Sequence, residues 1–203
     1  MVQNPEPAGT AGYSANADAL AAQYESVTFA DVHRDLLHLY PEAPARVLDI
    51  GAGTGRDAAA LAARGHRVVA VEPTREFRDH GRRLHPSPAI EWVDDGLPDL
   101  AVVSARPERF DLVLLTAVWM HLDAAERTRA MAGIAKLAAP GGIVAMSLRH
   151  GPVPAGRRMF DVSADETIEL ARTVGFDCAH VHKREDMLGR ADVRWSFLAL
   201  RRL

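Results

Sequence analysis

The chain has 203 residues, with 24 Lys and Arg against 27 Asp and Glu and a formal charge of −3. That length suits one domain with a full core. The faint acidic balance, with basic pairs such as Arg82-Arg83 and Arg201-Arg202 scattered along the chain, offers no stripe for nucleic acid or an anionic membrane. The single cysteine, Cys178, excludes an intramolecular disulfide and any multi-cysteine zinc site. With no apolar run of membrane-spanning length and no basic-then-apolar leader, a cytoplasmic protein is expected.

In chain order, Pro5, Pro7, Gly9 and Gly12 make residues 1–12 a loose arm. Asn16 suits the cap of a helix over residues 17–24, and Thr28 with Asp31 opens a second. Phe29, Val32, Leu36 and Leu39 then recur at helical spacing, so that stripe is expected in the core and His33 and His38 in water.

After Pro41 and Pro44 comes the most informative stretch, Val47-Leu48-Asp49-Ile50-Gly51-Ala52-Gly53-Thr54-Gly55-Arg56. A short apolar run fits a strand buried on both faces, and alternating glycines fit a tight turn where a ligand reaches backbone with no Cβ in the way. A helix over residues 57–64 follows, with Gly65 as its left-handed stop. The second strand, residues 67–71, ends in Glu72, about 20 residues after the first glycine, where a βαβ nucleoside site keeps a carboxylate for ribose hydroxyls.

The alternation continues with a helix over 75–84, broken at His85-Pro86-Ser87-Pro88, and a third strand over 89–93 closing on Asp94-Asp95-Gly96. A short helix from Pro98, a fourth strand over 111–115 and a helix from Asp123, capped with Glu126, to about residue 138 come next. The fifth strand is 143–148, followed by a Gly/Pro-rich loop over 149–160 and a helix that Ser163 and Glu166 cap and Gly175 stops. Two runs, 176–182 and 195–200, end the sheet with no helix between them, so the expected class is a doubly wound, mostly parallel α/β sheet with an antiparallel tail.

The Gly-x-Gly-x-Gly spacing puts Arg56 where a dinucleotide fingerprint needs a small residue, which argues against an NAD-dependent oxidoreductase. No Gly-Lys-Ser/Thr sequence is present, which excludes a nucleotide-hydrolysing phosphate loop. Residues 47–55, Glu72, Asp94-Asp95 and residues 110–122 together resemble the class I S-adenosylmethionine-dependent methyltransferases. The resemblance implies a Rossmann-like seven-stranded sheet with an antiparallel last strand and helices on both faces. It forms one domain, in which residues 1–44 cover the cofactor site and residues 45–203 form the core.

The cofactor so implied is S-adenosylmethionine, leaving as S-adenosylhomocysteine. The resemblance assigns it to Asp49, Gly51, Ala52, Gly53 and Gly55 of the loop, Glu72 and Pro73 at the ribose, Asp94 and Asp95 at the adenine, Thr116 after strand four, and Tyr24 from the N-terminal segment, with Tyr13 a lesser match. Thr116-Ala117-Val118-Trp119 stands where relatives that methylate nucleobase amino groups carry Asn/Asp-Pro-Pro-aromatic, so the expected partner is a small-molecule acceptor, with no nucleic acid and no membrane.

On the acceptor side, His121 is either a general base or a cap that orients its loop, and His150 with Arg149 leaves strand five at the same sheet edge. Arg157 and Arg158 could hold a carboxylate or phosphate of the acceptor. The 149–160 loop is expected to form one wall of the acceptor pocket. His180 and His182 share a strand face but lack a carboxylate pattern, so no metal is assigned. A monomer or homodimer is expected, and a module that binds the cofactor without turnover is the competing function.

Overall fold

Strands β1 (Arg46–Ile50) and β4 (Phe110–Thr116) form the centre of a seven-stranded sheet in the computed structural model, which describes residues 8–10 and 13–203. Val47, Leu48, Leu112, Val113 and Leu114 are fully buried, which requires cover on both faces of these strands. The order is β3-β2-β1-β4-β5-β7-β6, the other strands being β2 (Arg67–Val71), β3 (Ile90–Val93), β5 (Ala138–His150), β6 (Phe176–Glu185) and β7 (Arg194–Arg202). β7 runs antiparallel to both its neighbours, while β1 pairs in parallel with β2 and β4. Strand order reverses between β1 and β4, and this switch point opens a crevice at their carboxyl ends.

Helices α2 (Phe29–His33) and α3 (Arg56–Ala63) cover one face, where Phe29, Val32, Ala58 and Leu61 meet Val47, Val68 and Leu112. Helices α5 (Ala101–Ser104), α6 (Ala124–Leu137) and α7 (Ala164–Arg172) cover the other, where Val103, Met131, Ile134 and Ile168 pack with Ile50, Val113 and Leu115. Three of the expected caps form: Thr28 accepts from the Asp31 N–H, Ser163 from the Glu166 N–H, and Asp123 with Glu126 closes a full capping box, whereas Asn16 stands at the N-cap of the helix Ala17–Glu25 without a side-chain cap bond. Helices α1 (Ala17–Glu25) and α4 (Arg75–Leu84) pack on each other near the glycine loop. Among the described residues no helix is long and apolar enough to cross a membrane.

His33 does not face water. α2 ends there and the chain tightens into a 3-10 turn at Leu37–Leu39, so the helical period that would point His33 outward does not persist. The ring is 4% exposed, with Nε2 2.8 Å from Asp57 Oδ2 and Nδ1 2.7 Å from the Tyr40 hydroxyl. His38 is exposed, as expected.

Three boundaries also move. Ala138 already pairs with Phe110, so β5 begins directly at the end of α6, and the Pro140-Gly141-Gly142 stretch lies inside the strand at an irregularity of register. The short helix starts at Ala101 because the Asp95 carboxylate accepts the Val102 and Val103 N–H groups, at 2.9 and 3.0 Å. Of the arm, residues 1–7 and 11–12 lie outside the described residues, whereas Ala8–Thr10 form a 3-10 turn.

Gly81 stands inside α4, where glycine is unfavourable by about 1 kcal/mol relative to alanine. Its reason is close approach: a Cβ there would overlap the Trp92 ring and lie 2.9 Å from the Thr54 carbonyl oxygen. Gly81→Ala is therefore expected to destabilise by about 1–3 kcal/mol despite its better propensity. Thermal unfolding checks this, and a melting temperature at or above wild type would show that Trp92 yields freely.

Candidate active site

A cavity of about 470 Å³ opens at the carboxyl ends of the central strands, between the glycine loop, the N-terminal segment and the loop after β5. The loop is built by backbone geometry. Gly51 and Gly53 adopt φ of +69° and +56°, and the Gly51 and Ala52 N–H groups both donate to the Val71 carbonyl, at 2.8 and 2.9 Å. A Cβ on Gly53 would stand 3.5 Å from the Tyr24 ring, inside the space the cavity occupies.

Glu72, 5% exposed, is clamped at the end of β2. Its Oε2 accepts from Gly53 N at 2.9 Å and its Oε1 from Thr74 N at 2.8 Å, and the Thr74 hydroxyl also donates to the carboxylate. Burial raises its pKa, opposed by those N–H groups, by the Thr74 hydroxyl and by Arg78. Asp49 is 1% exposed and its Oδ2 has no hydrogen-bond partner among the described residues. Burial, then the neighbouring Asp57 charge, pushes Asp49 well above the ordinary carboxylate range. Burial also pushes Asp57 up, but His33 and Arg56 outweigh it and hold Asp57 well below that range, so the two neighbouring carboxyls shift in opposite directions.

His121 carries the clearest protonation logic. Its Nδ1 lies 2.7 Å from the Arg158 carbonyl oxygen, which can only accept, so Nδ1 bears the hydrogen and Nε2 of the neutral ring is an acceptor. The Tyr13 hydroxyl donates to that Nε2 at 2.9 Å. Burial lowers the His121 pKa, and the Arg157, Arg158 and Arg149 charges reinforce it against the Arg158 carbonyl bond. Burial raises Tyr13, which keeps it a phenol, and Tyr24 hydrogen bonds to Tyr13. The result is a short chain, Tyr24 to Tyr13 to His121, along one wall of the cavity.

Of the residues singled out in the sequence, Tyr24, Asp49, Gly51, Ala52, Gly53, Glu72, Pro73, Thr116, His121, Arg149 and Arg157 line this cavity. Gly55, Asp94, Asp95, His150 and Arg158 do not, and each is engaged elsewhere. Gly55, at φ +83°, is the N-cap of α3 and backs onto Trp92. Asp94 takes both Arg78 Nη atoms, at 3.0 and 2.7 Å, and Asp95 holds the start of α5. His150 Nε2 is 2.8 Å from Ser196 Oγ on β7. Arg158 donates to the His121 carbonyl and to Glu126 and Asp123, which fastens the loop whose own carbonyl orients His121.

The 149–160 loop does contribute a wall, through Arg149, Pro154, Arg157 and Met159. A second loop, between β6 and β7, carries no site signal in the sequence, yet Asp186, Met187, Leu188 and Arg190 also line the cavity. Asp186 is pinned there by Arg190 at 2.7 Å and by the Trp195 indole N–H at 2.8 Å. The strand pairing that puts this loop at the sheet edge carries no local signature. Asp57 and Phe77 line the cavity as well, and the sequence does not mark them, since an apolar or acidic residue in a first helical turn has an ordinary explanation.

Residues 47–142 match the family described as methyltransferase domain. An uncharacterized methyltransferase of Geobacillus thermodenitrificans is 30% identical over 175 residues, covering 85% of this chain and 75% of that protein. One of Geobacillus kaustophilus is 31% identical over 130 residues, covering 64% of this chain and 58% of its own length, so the chain spans less than two thirds of that relative. Among solved structures, a Burkholderia thailandensis 1,6-didemethyltoxoflavin-N1-methyltransferase, with bound 1,6-didemethyltoxoflavin and S-adenosylhomocysteine, superposes with a TM-score of 0.64 at 23% identity over 99% of this chain and 93% of the other. The family match over the glycine loop and central strands, and a relative followed across three quarters of its length, lead to one conclusion: the chain belongs to the class I S-adenosylmethionine-dependent methyltransferase family.

Proposed function

We propose that this chain binds S-adenosylmethionine in the cavity and transfers its methyl group to a small-molecule acceptor. The observation that carries the reading is Glu72, a buried carboxylate held by Gly53 and Thr74 N–H groups at the end of β2, facing a glycine loop with no side chains in the way. When bound, the cofactor supplies an electrophilic sulfonium methyl.

The residues present fit that group. Glu72 would accept from the ribose hydroxyls, and the Asp49 Oδ2, buried without a partner among the described residues, would accept from the methionyl ammonium, whose charge opposes the burial that raises Asp49. Pro73, Gly96, Leu97 and Phe77 supply apolar cover for the adenosine end, and Thr116 and Ala52 complete the floor. Tyr13 and Tyr24, packed edge-on and tilted against Phe77, close the N-terminal side and exclude water.

Holding an acceptor atom in line with the methyl is worth several kcal/mol as orientation. Where that atom carries a proton, the Tyr13 hydroxyl takes it and passes its own to His121 Nε2, which is neutral and aimed at Tyr13. The cavity's modest volume and its cover by the N-terminal segment support a small acceptor. The Burkholderia neighbour, which binds 1,6-didemethyltoxoflavin together with S-adenosylhomocysteine, is in keeping with that class.

Calorimetry with S-adenosylmethionine, S-adenosylhomocysteine and NAD tests the reading, followed by transfer of labelled methyl to an acceptor panel. Glu72→Ala is expected to weaken S-adenosylhomocysteine binding by roughly 1.5–3 kcal/mol, the range for hydrogen bonds to a charged group. The folded state should survive, as circular dichroism would report. Heat from NAD alone would overturn the proposal, and tight cofactor binding without transfer to any acceptor would favour a non-catalytic module.

A further inference from the structure

We infer that the acceptor is an organic anion with an apolar body, its carboxylate or phosphate held by Arg149 and Arg157 beside Tyr13 and His121. This rests on the methyltransferase reading and names the substrate class for the same cavity.

The other arginines around the cavity are spoken for. Arg190 pairs with Asp186, Arg184 with Asp35, Arg56 with Asp57, and Arg158 with Asp123 and Glu126. Arg149 and Arg157 have no carboxylate within ion-pair distance among the described residues. The Arg149 Nη1 reaches only the Gly151 and Pro152 carbonyls, and its Nε is buried with no partner among those residues. Arg157 lies 3.5 Å over the Tyr13 ring centre, a stack that fixes its plane, and its Nη1 is likewise buried without a partner.

A buried guanidinium N–H with no acceptor costs free energy, so an anion placed there removes that penalty. A guanidinium presents a planar fork that matches carboxylate and phosphate oxygens. Both charges are felt at Tyr13 and at His121, which puts the anion next to the residues that handle the acceptor's proton. Met120, Leu122, Met159, Met187 and Leu188 line the remaining walls, and Met187 and Leu188, 40% and 42% exposed, stand at the mouth. That surface suits an aliphatic or aromatic body.

The same arginines could instead hold the carboxylate of S-adenosylmethionine itself, and the experiment separates the two. The full chain, saturated with S-adenosylhomocysteine, is titrated calorimetrically with octanoate, octyl phosphate and octanamide. At least one anion is expected to bind about tenfold or more tighter than the amide, and which anion does so identifies the head group. Arg149→Met and Arg157→Met should each weaken that anion by about tenfold or more while leaving S-adenosylhomocysteine affinity within about twofold.

The inference is overturned if the amide binds as well as both anions, if neither anion binds, or if the variants weaken S-adenosylhomocysteine as much as they weaken the anion. Failure of the underlying reading has a different signature. The wild-type chain would then give no heat with S-adenosylhomocysteine, while the anion titrations, run also without it, still decide the charge preference.

Discussion

Replacing His121 by alanine is expected to lower methyl transfer by roughly two to four orders of magnitude, the usual contribution of a positioned general base, while S-adenosylhomocysteine affinity stays at wild type. The affinity should hold because Glu72 and the glycine loop, the groups proposed to bind the cofactor, are anchored to each other independently of His121. The pH profile supplies a second readout. Only the neutral ring can take a proton, so activity rises with pH through the histidine pKa. Burial and the surrounding arginines lower that pKa, so the acid limb should fall below the ordinary histidine value of about 6.5. In the alanine variant that limb should disappear. Tyr13→Phe, which removes the hydroxyl but keeps the ring under Arg157, should lose a comparable share of the rate if the proton travels through Tyr13. A His121→Ala enzyme with wild-type turnover would remove both residues from the chemistry and leave orientation as the whole of catalysis.

His33→Ala is expected to cost roughly 1.5–3 kcal/mol of stability at neutral pH, because the buried Asp57 carboxylate loses one of its hydrogen-bond partners. Asp57 is 4% exposed and its Oδ2 faces His33 Nε2, while Arg56 Nε at 2.8 Å and Thr116 Oγ1 at 2.8 Å are the partners left. The pH dependence follows from the direction of the Asp57 shift. Its folded pKa is held below the unfolded value of about 3.9, so in the window between them the unfolded chain binds the proton more readily. Its stabilisation is therefore complete above that unfolded value and is lost as pH falls through the depressed folded one. Removing His33 should shrink this contribution and bring acid unfolding to higher pH. Urea titrations of both proteins at pH 7 and near pH 3, below the unfolded carboxylate value, check it. Equal midpoints at both would mean that Arg56 and Thr116 alone hold Asp57, and that the buried histidine is only packing.

Much of the architecture is legible in the chain because the signals are local. An apolar run, alternating glycines and an acidic residue after the next apolar run are properties of about 25 consecutive residues, and β1, α3, β2 and α4 form within a residue of where they are expected. The caps at Thr28, Asp123 and Ser163 are equally local, each being a bond across three residues.

The site residues divide along the same physical line. Those on the glycine loop and at the end of β2 reach the cavity because the backbone turn carries them there. Whether a polar side chain further along acts on a ligand or on the protein depends on partners far away in sequence. Tyr13 meets His121 across 108 positions, His150 meets Ser196 across 46, and the Arg158 guanidinium turns to Asp123 and Glu126 across more than 30. Asp95 shows the competition at its sharpest, since a carboxylate after a third strand can serve a ligand or the next helix, and here the α5 N–H groups arrive first. Sequence spacing specifies which residues stand at the carboxyl edge of the sheet. The choice between Arg157, left with an unpaired N–H in the cavity, and its neighbour Arg158, consumed by two carboxylates, is made by packing, because a charge in a folded protein goes to the nearest partner that geometry offers.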